Sequence, residues 1–194
     1  MAVRQQERSR VTQQRLLEAT VECLVDVGFG RTSTTLVSER AGVSRGAQLH
    51  HFPTKNDLVV AAVAHVTDQR TAELAAAAAA VPAEHRTRDV LRMLGDHVAS
   101  PVFTAALELW TAARTDPALL AAVQPLERRV GRETHKMTVE LLRVDESRPG
   151  VRELVQATLD LVRGLGLAAT VTDDARRRNR ILDQWAVTLD GALQ

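Results

Sequence analysis

Gly42-Val43-Ser44 cuts one short helical pattern off from the next. Glycine permits a tight turn there, and Ser44 is a suitable cap for a helix from Arg45 to about His51. Upstream, Ser33 can cap a helix over Thr34 to Ala41 whose apolar side is Leu36, Val37 and Ala41. Pro53 stops the second of these helices, and a long one starts near Lys55. Before them, Leu16, Ala19, Thr20, Cys23, Leu24 and Val27 recur at helical spacing from about Val11 to Val27, and Gly28 ends that run in a left-handed cap. Two short helices joined by a glycine turn and buttressed on each side fit a helix-turn-helix, whose second helix can enter a major groove. An ordinary αα-corner has the same spacing.

Composition supports an all-helical fold. The chain has 194 residues, 45% apolar and 25% charged, with 10 Gly, 6 Pro, 3 Phe and no Tyr. That length buries a sizeable core as one domain or two small ones, and an Ala- and Leu-rich sequence favours helix. The net charge is only +1, so any basic surface is local. Through Asn56 there are eight basic and five acidic residues, against 17 and 19 in the remainder. The asymmetry is small and has the sign that a DNA-facing N-terminal region needs. Arg4, Arg8 and Arg10 are either a flexible DNA-binding arm or a solvated tail. Cys23 alone supports neither a disulfide nor a Cys metal cluster, which suits a reducing, cytoplasmic setting. The polar N-terminus does not read as a signal peptide, and no apolar run approaches a membrane span.

Gly28-Phe29, Thr32-Ser33-Thr34-Thr35, Val37 through Gly46, and Leu49-His50-His51-Phe52-Pro53-Thr54-Lys55 with Leu58 closely resemble the DNA-binding domain of the tetracycline-repressor (TetR) family. The resemblance covers about the first 65 residues, and its AGVSRG…HHF..K run is specific. It implies an all-α homodimer of about nine helices per subunit, with a helix-turn-helix domain over residues 1–56. Residues 57–194 would then form the ligand-binding and dimerisation domain. It further implies a transcriptional regulator, a repressor that leaves its palindromic operator when a small apolar effector binds. By position, Thr34 and Ser44 match backbone-contacting groups, Thr35, Arg45 and Gly46 match base-facing ones, and Lys55 matches a phosphate-contacting basic residue. Ser33 and Ala47 complete the expected DNA-facing set. Leu49 departs from the pattern, standing where many members carry a DNA-touching tyrosine; Gln48 or His50 is left to replace that contact.

Side-chain chemistry reads the same way. Arg45 can meet guanine O6 and N7, and Gln48 adenine N6 and N7, each in bidentate fashion. Gly46 and Ala47 let the backbone approach the groove. Leu49 and Phe52, three apart, are expected to face the core. His50 and His51 do not make a metal site, since adjacent helical residues point about 100° apart and no carboxylate lies at ligand spacing. No cofactor is expected.

Beyond Lys55 the pattern remains helical: a connector to about Ala80, ended by Val81-Pro82, then Glu84 to Ala99, Pro101 to Arg114 capped by Ser100, and a helix from Pro117 capped by Asp116. Pro125 should kink that helix or mark its start. Phe103, Leu107 and Trp110 share one stripe, and Met93 and His97 lie four apart, so these five are candidates to line an effector cavity, with plain core packing as the alternative. Glu108 and Arg114 lie off the stripe, either solvated or serving as polar ends. On the helix Val151 to Ala169, apolar or small residues fill roughly 200° of the circumference, more than one packing face needs. Its edge of Ala157, Leu161, Gly164 and Ala168, with Ile181 and Trp185 from a helix over Ala175 to Leu193, is the expected dimer interface. No glycine-rich phosphate loop, HExxH or G-x-S-x-G pattern appears, which argues against an enzyme. The other class compatible with the pattern is a helical small-molecule-binding protein or enzyme that uses the C-terminal cavity without a transcriptional role.

Overall fold

The computed structural model describes residues 2–79, 81–82, 84–172 and 174–193, with side chains described throughout except at 2–4 and 78–79. Among the described residues there are nine helices and no strand: α1 Ala2–Arg31, α2 Thr34–Ala41, α3 Arg45–His51, α4 Lys55–Ala79, α5 Arg86–Val98, α6 Pro101–Ala113, α7 Pro117–Leu142, α8 Val151–Ala169 and α9 Ala175–Leu193. None is long and apolar enough to cross a membrane. The chain forms two compact units, Met1–Asp68 with Thr104–Glu127, and Gln69–Phe103 with Arg128–Gln194. The division expected at 56/57 follows the motif, whereas these units follow packing, and α4, α6 and α7 each contribute to both.

In the first unit α1 packs on α2 and α3. Leu16, Cys23, Leu24, Val37, Leu58, Val59 and Ala62 are among its most deeply buried apolar side chains, and burying each large one stabilises by about 1.5–3 kcal/mol. The α1 pattern extends further than its apolar stripe, because the polar stretch preceding Val11 continues the helix back to Ala2. Arg8 and Arg10 are therefore exposed positions on a helix, not an arm; the side chain of Arg4 lies outside the described residues. Gly28 does break the helical geometry, with φ 74 and ψ 168, but one further turn reaches Arg31.

In the second unit α5 packs against α8 and α9. Gly166 lets α8 come close: a Cβ there would lie 2.6 Å from both Phe103 Cε1 and Val98 Cβ. Asp116 caps α7 as expected, accepting from Leu119 N at 3.0 Å. Pro125 lies within the continuous α7, where it removes the donor that would meet the Ala121 carbonyl. Ser100 does not cap α6; its Oγ is buried without a hydrogen-bond partner. The connector α4 ends at Ala79, and Ala80, where it was expected to stop, lies outside the described residues.

Candidate nucleic-acid interface

The loop at 42–44 fixes the two short helices relative to each other. Ser33 Oγ accepts from Leu36 N at 3.1 Å, closing the start of α2. Gly42 ends α2 in the left-handed conformation, φ 63 and ψ 36, and its N–H returns to Glu39 O at 3.2 Å. Val43 N then reaches Ser38 O at 3.0 Å, and Ser44 Oγ accepts from Ala47 N at 3.3 Å to start α3. Arg40 Nη1 meets Asp26 Oδ2 at 2.7 Å, tying α2 to α1.

On α3 the outward face is Arg45, Gly46, Leu49 and His50, with Ala47 half-buried; on α2 Thr35 is exposed and Thr34 half-buried beside the exposed Ser33. A Cβ at Gly46 would meet nothing within 4 Å, so this surface is open. Two expectations are corrected here. Gln48 is fully buried, with Nε2 donating to Phe52 O at 2.6 Å and Oε1 buried without a partner, so it cannot read adenine. Leu49 does not join Phe52 in the core: it is 46% exposed, and Phe52 6%. One helical residue separates Gln48 from Leu49, about 100°, and the packing phase of α3 puts the amide inside and the leucine out.

Lys55 is also committed inward. Its Nζ donates to Phe29 O at 2.6 Å and sits 3.9 Å from the centre of the Phe29 ring, and burial pushes its pKa below the usual lysine value. The opposite side of Phe29 is met by Glu108 of α6, whose Oε2 accepts from Phe29 N at 2.9 Å. Sequence reasoning missed this role. The available signal was that Glu108 is the single charged residue in Pro101–Ala113.

The five candidate effector residues fall in different places. Met93 and His97 line a cleft of about 340 Å³ with Arg70, Glu73, Leu74 and Ser100. Arg70 pairs with Glu73 at 2.8 Å, and His97 has its pKa pushed down by burial and, secondarily, by the Arg70 charge. Phe103 is buried against the α8 backbone at Gly166, which makes it core, not cleft wall. Leu107 is half-buried, and Trp110 Nε1 donates to the Glu127 carboxylate.

Ala157 and Gly164 are exposed on α8, with Leu161 and Ala168 half-buried beside them. A Cβ on Gly164 would meet nothing within 4 Å among the described residues outside its own stretch of helix. Ile181 and Trp185 of α9, half-buried, share a groove of about 560 Å³ with Leu161, and Trp185 Nε1 donates to Thr158 Oγ1 at 2.9 Å.

Comparison with known proteins places this architecture. Residues 16–62 match the model of bacterial regulatory proteins, tetR family. An HTH-type transcriptional regulator, CymR, of Pseudomonas putida is 32% identical, covering 91% of this chain and 88% of its own. An uncharacterized HTH-type transcriptional regulator of Mycobacterium tuberculosis is 29% identical over 95% of this chain and 90% of its own. The crystal structure of a Rhodococcus transcriptional regulator superposes with a TM-score of 0.74 at 23% identity, covering 92% of this chain and 96% of that one, which bears on the fold. Since the likeness to CymR runs through α4–α9 as well as the reading helices, the chain belongs to the tetR family: it is a helix-turn-helix transcriptional regulator, not an enzyme.

Proposed function

We propose that this regulator is a homodimeric repressor that lays α3 of each subunit into successive major grooves of a palindromic operator and is released by a small, mostly apolar effector. The observation that carries the DNA face is Arg45, exposed in the first turn of α3 beside the open backbone of Gly46. An arginine so placed reaches guanine O6 and N7. Ser33, Thr34, Thr35 and Ser44 present hydroxyls along the same edge; an oxygen that accepts at a helix cap still has an O–H to donate to phosphate. With Gln48 buried, His50 takes the polar contact that Leu49 lacks, and Leu49 offers its apolar tip to a thymine methyl.

Residues 1–56 carry the reading role and 57–194 the effector and dimer roles. The Met93–His97 cleft supplies apolar wall, a titratable imidazole and an unpaired Ser100 hydroxyl, which suits an apolar molecule with one or two polar groups. The open α8–α9 face, where Leu161, Ile181 and Trp185 line a groove beside the exposed Ala157 and Gly164, suits a second copy of itself.

The test is selection of bound DNA from a random library by the full-length protein. Enrichment of a two-fold symmetric sequence, with half-site centres about 10 base pairs or a multiple apart and binding that weakens with salt, is the expected result. A library that stays random after selection overturns the reading.

A further inference from the structure

At Gly28 the α1 ladder breaks, and Thr32 N returning to Gly28 O at 3.1 Å opens one last turn. Phe29 begins that turn, so its N–H belongs to the amides a helix start leaves unpaired. The Glu108 carboxylate fills that need from α6, at a position where negative charge is favoured. The Phe29 carbonyl is taken by the Lys55 ammonium from α4, which also covers the Phe29 ring. One residue is thus gripped at its N–H by an anion and at its C=O by a cation, from two different helices. The same carboxylate lies close over Gly28, where an added Cβ would be 2.9 Å from Glu108 Oε2. Four residues after Phe29 is Ser33, the cap of α2, and α2 carries the turn that aims α3.

We propose that Glu108 and Lys55 are positioning residues for the reading head, fixing the last turn of α1 through Phe29 and so setting operator affinity without touching DNA. The geometry of Lys55 supports this, because its ammonium donates inward to the Phe29 carbonyl and sits over the Phe29 ring. The inference rests on the DNA-binding reading above, and the selected operator serves as its probe.

Affinity of the full-length protein for that operator, and for single-base-pair variants of it, is measured over a range of salt, with thermal melting of each variant recorded. Glu108→Ala should weaken binding about tenfold or more, as expected for a lost charge-assisted hydrogen bond, equally for every operator variant and with the salt slope unchanged. Glu108→Gln, which keeps an oxygen to accept from Phe29 N, should recover most of the loss. Lys55→Met should weaken binding similarly without changing the slope. Combining it with Glu108→Ala should add little, since both act through Phe29.

A Lys55→Met salt slope shallower by about one unit identifies a phosphate contact and overturns the Lys55 role. Undiminished binding by Glu108→Ala, or a Glu108→Gln variant no better than Glu108→Ala, overturns the Glu108 role. If Glu108→Ala does not fold, Glu108→Asp, one methylene too short to reach Phe29 N, takes its place with the same expectations. Failure of the wild type to select any sequence sinks the DNA-binding reading itself, whereas a wild type that binds and variants that bind equally well sink only this inference.

Discussion

The α2–α3 pair and the α8–α9 pair each leave one face uncovered, and the two faces are built from opposite materials. On α3 the open residues are an arginine, a glycine, a histidine and one leucine, on helices of eight and seven residues started by serine caps. On α8 and α9, each 19 residues long, the open side carries Leu161, Ile181 and Trp185 beside the small Ala157 and Gly164, and α8 starts without a side-chain cap. Short capped helices hold polar groups at a fixed angle without needing a covering partner. A long apolar face gains its stabilisation only when something covers it. On the proposed reading, the difference suits a hydrated, charged partner for the first and another helix pair for the second.

The sharpest way to break this contrast is Gly164→Arg. Among the described residues outside its own stretch of helix, nothing lies within 4 Å of a Cβ at Gly164, so the isolated subunit should fold normally. In a dimer closed over that face the guanidinium would be buried unpaired, at a cost of several kcal/mol. Sedimentation should show monomer, and operator binding should collapse because two half-sites need two linked reading helices. A dimer that survives the substitution puts the interface elsewhere.

Two residues along the same helix, Gly166→Ala sharpens the point by failing differently. Its Cβ would meet Phe103 Cε1 and Val98 Cβ at 2.6 Å and the Val98 carbonyl oxygen at 2.9 Å, all inside the subunit. Overpacking of that kind costs about 1–3 kcal/mol, so the melting midpoint should drop while the folded protein still sediments as the wild type does. An unchanged midpoint would mean that α5 and α6 yield at this crossing without strain.

At the other face, Arg45→Ala should cost about 1–3 kcal/mol, at one base pair in each half-site. The relevant readout is preference: the variant should discriminate less at that base pair and as before elsewhere. Uniform weakening across all base substitutions would make Arg45 a phosphate contact.

How much of this was legible in the sequence depended on whether the deciding interaction was local. The bounds of α2 follow from its caps and those of α8 and α9 from periodicity, and all coincide with expectation, as does the Asp116 cap. The phase of α3 does not follow: its seven residues make about two turns, too few for a pattern to fix which side is in, and Gln48 and Leu49 exchanged places. The reach of α1 back to Ala2 was hidden because its first turns have no apolar stripe. The inward contacts of Lys55 and Glu108 were not legible for another reason: their common partner, Phe29, lies 26 and 79 residues away, where spacing rules carry no information. Gly164 and Gly166 look alike in the sequence, and only packing shows that one is open and the other filled.

The smallest expected effect concerns His97, where the cleft wall meets the solvent. Burial and the nearby Arg70 charge both favour the neutral imidazole, so its pKa in the folded chain lies below the ordinary value of about 6.5. Below that ordinary value the unfolded chain takes up a proton that the folded chain resists, and folded-state stability is lost as pH falls through the unfolded pKa toward the lowered one. The loss stops once the folded imidazole also titrates. Melting midpoints at pH 7.5 and 5.5 should therefore separate less for His97→Gln than for the wild type. The five other histidines contribute equally to both proteins and cancel in that difference. An equal decline in the two would mean that the His97 ring is hydrated in solution, and the cleft would then lack the dry wall that an apolar effector requires.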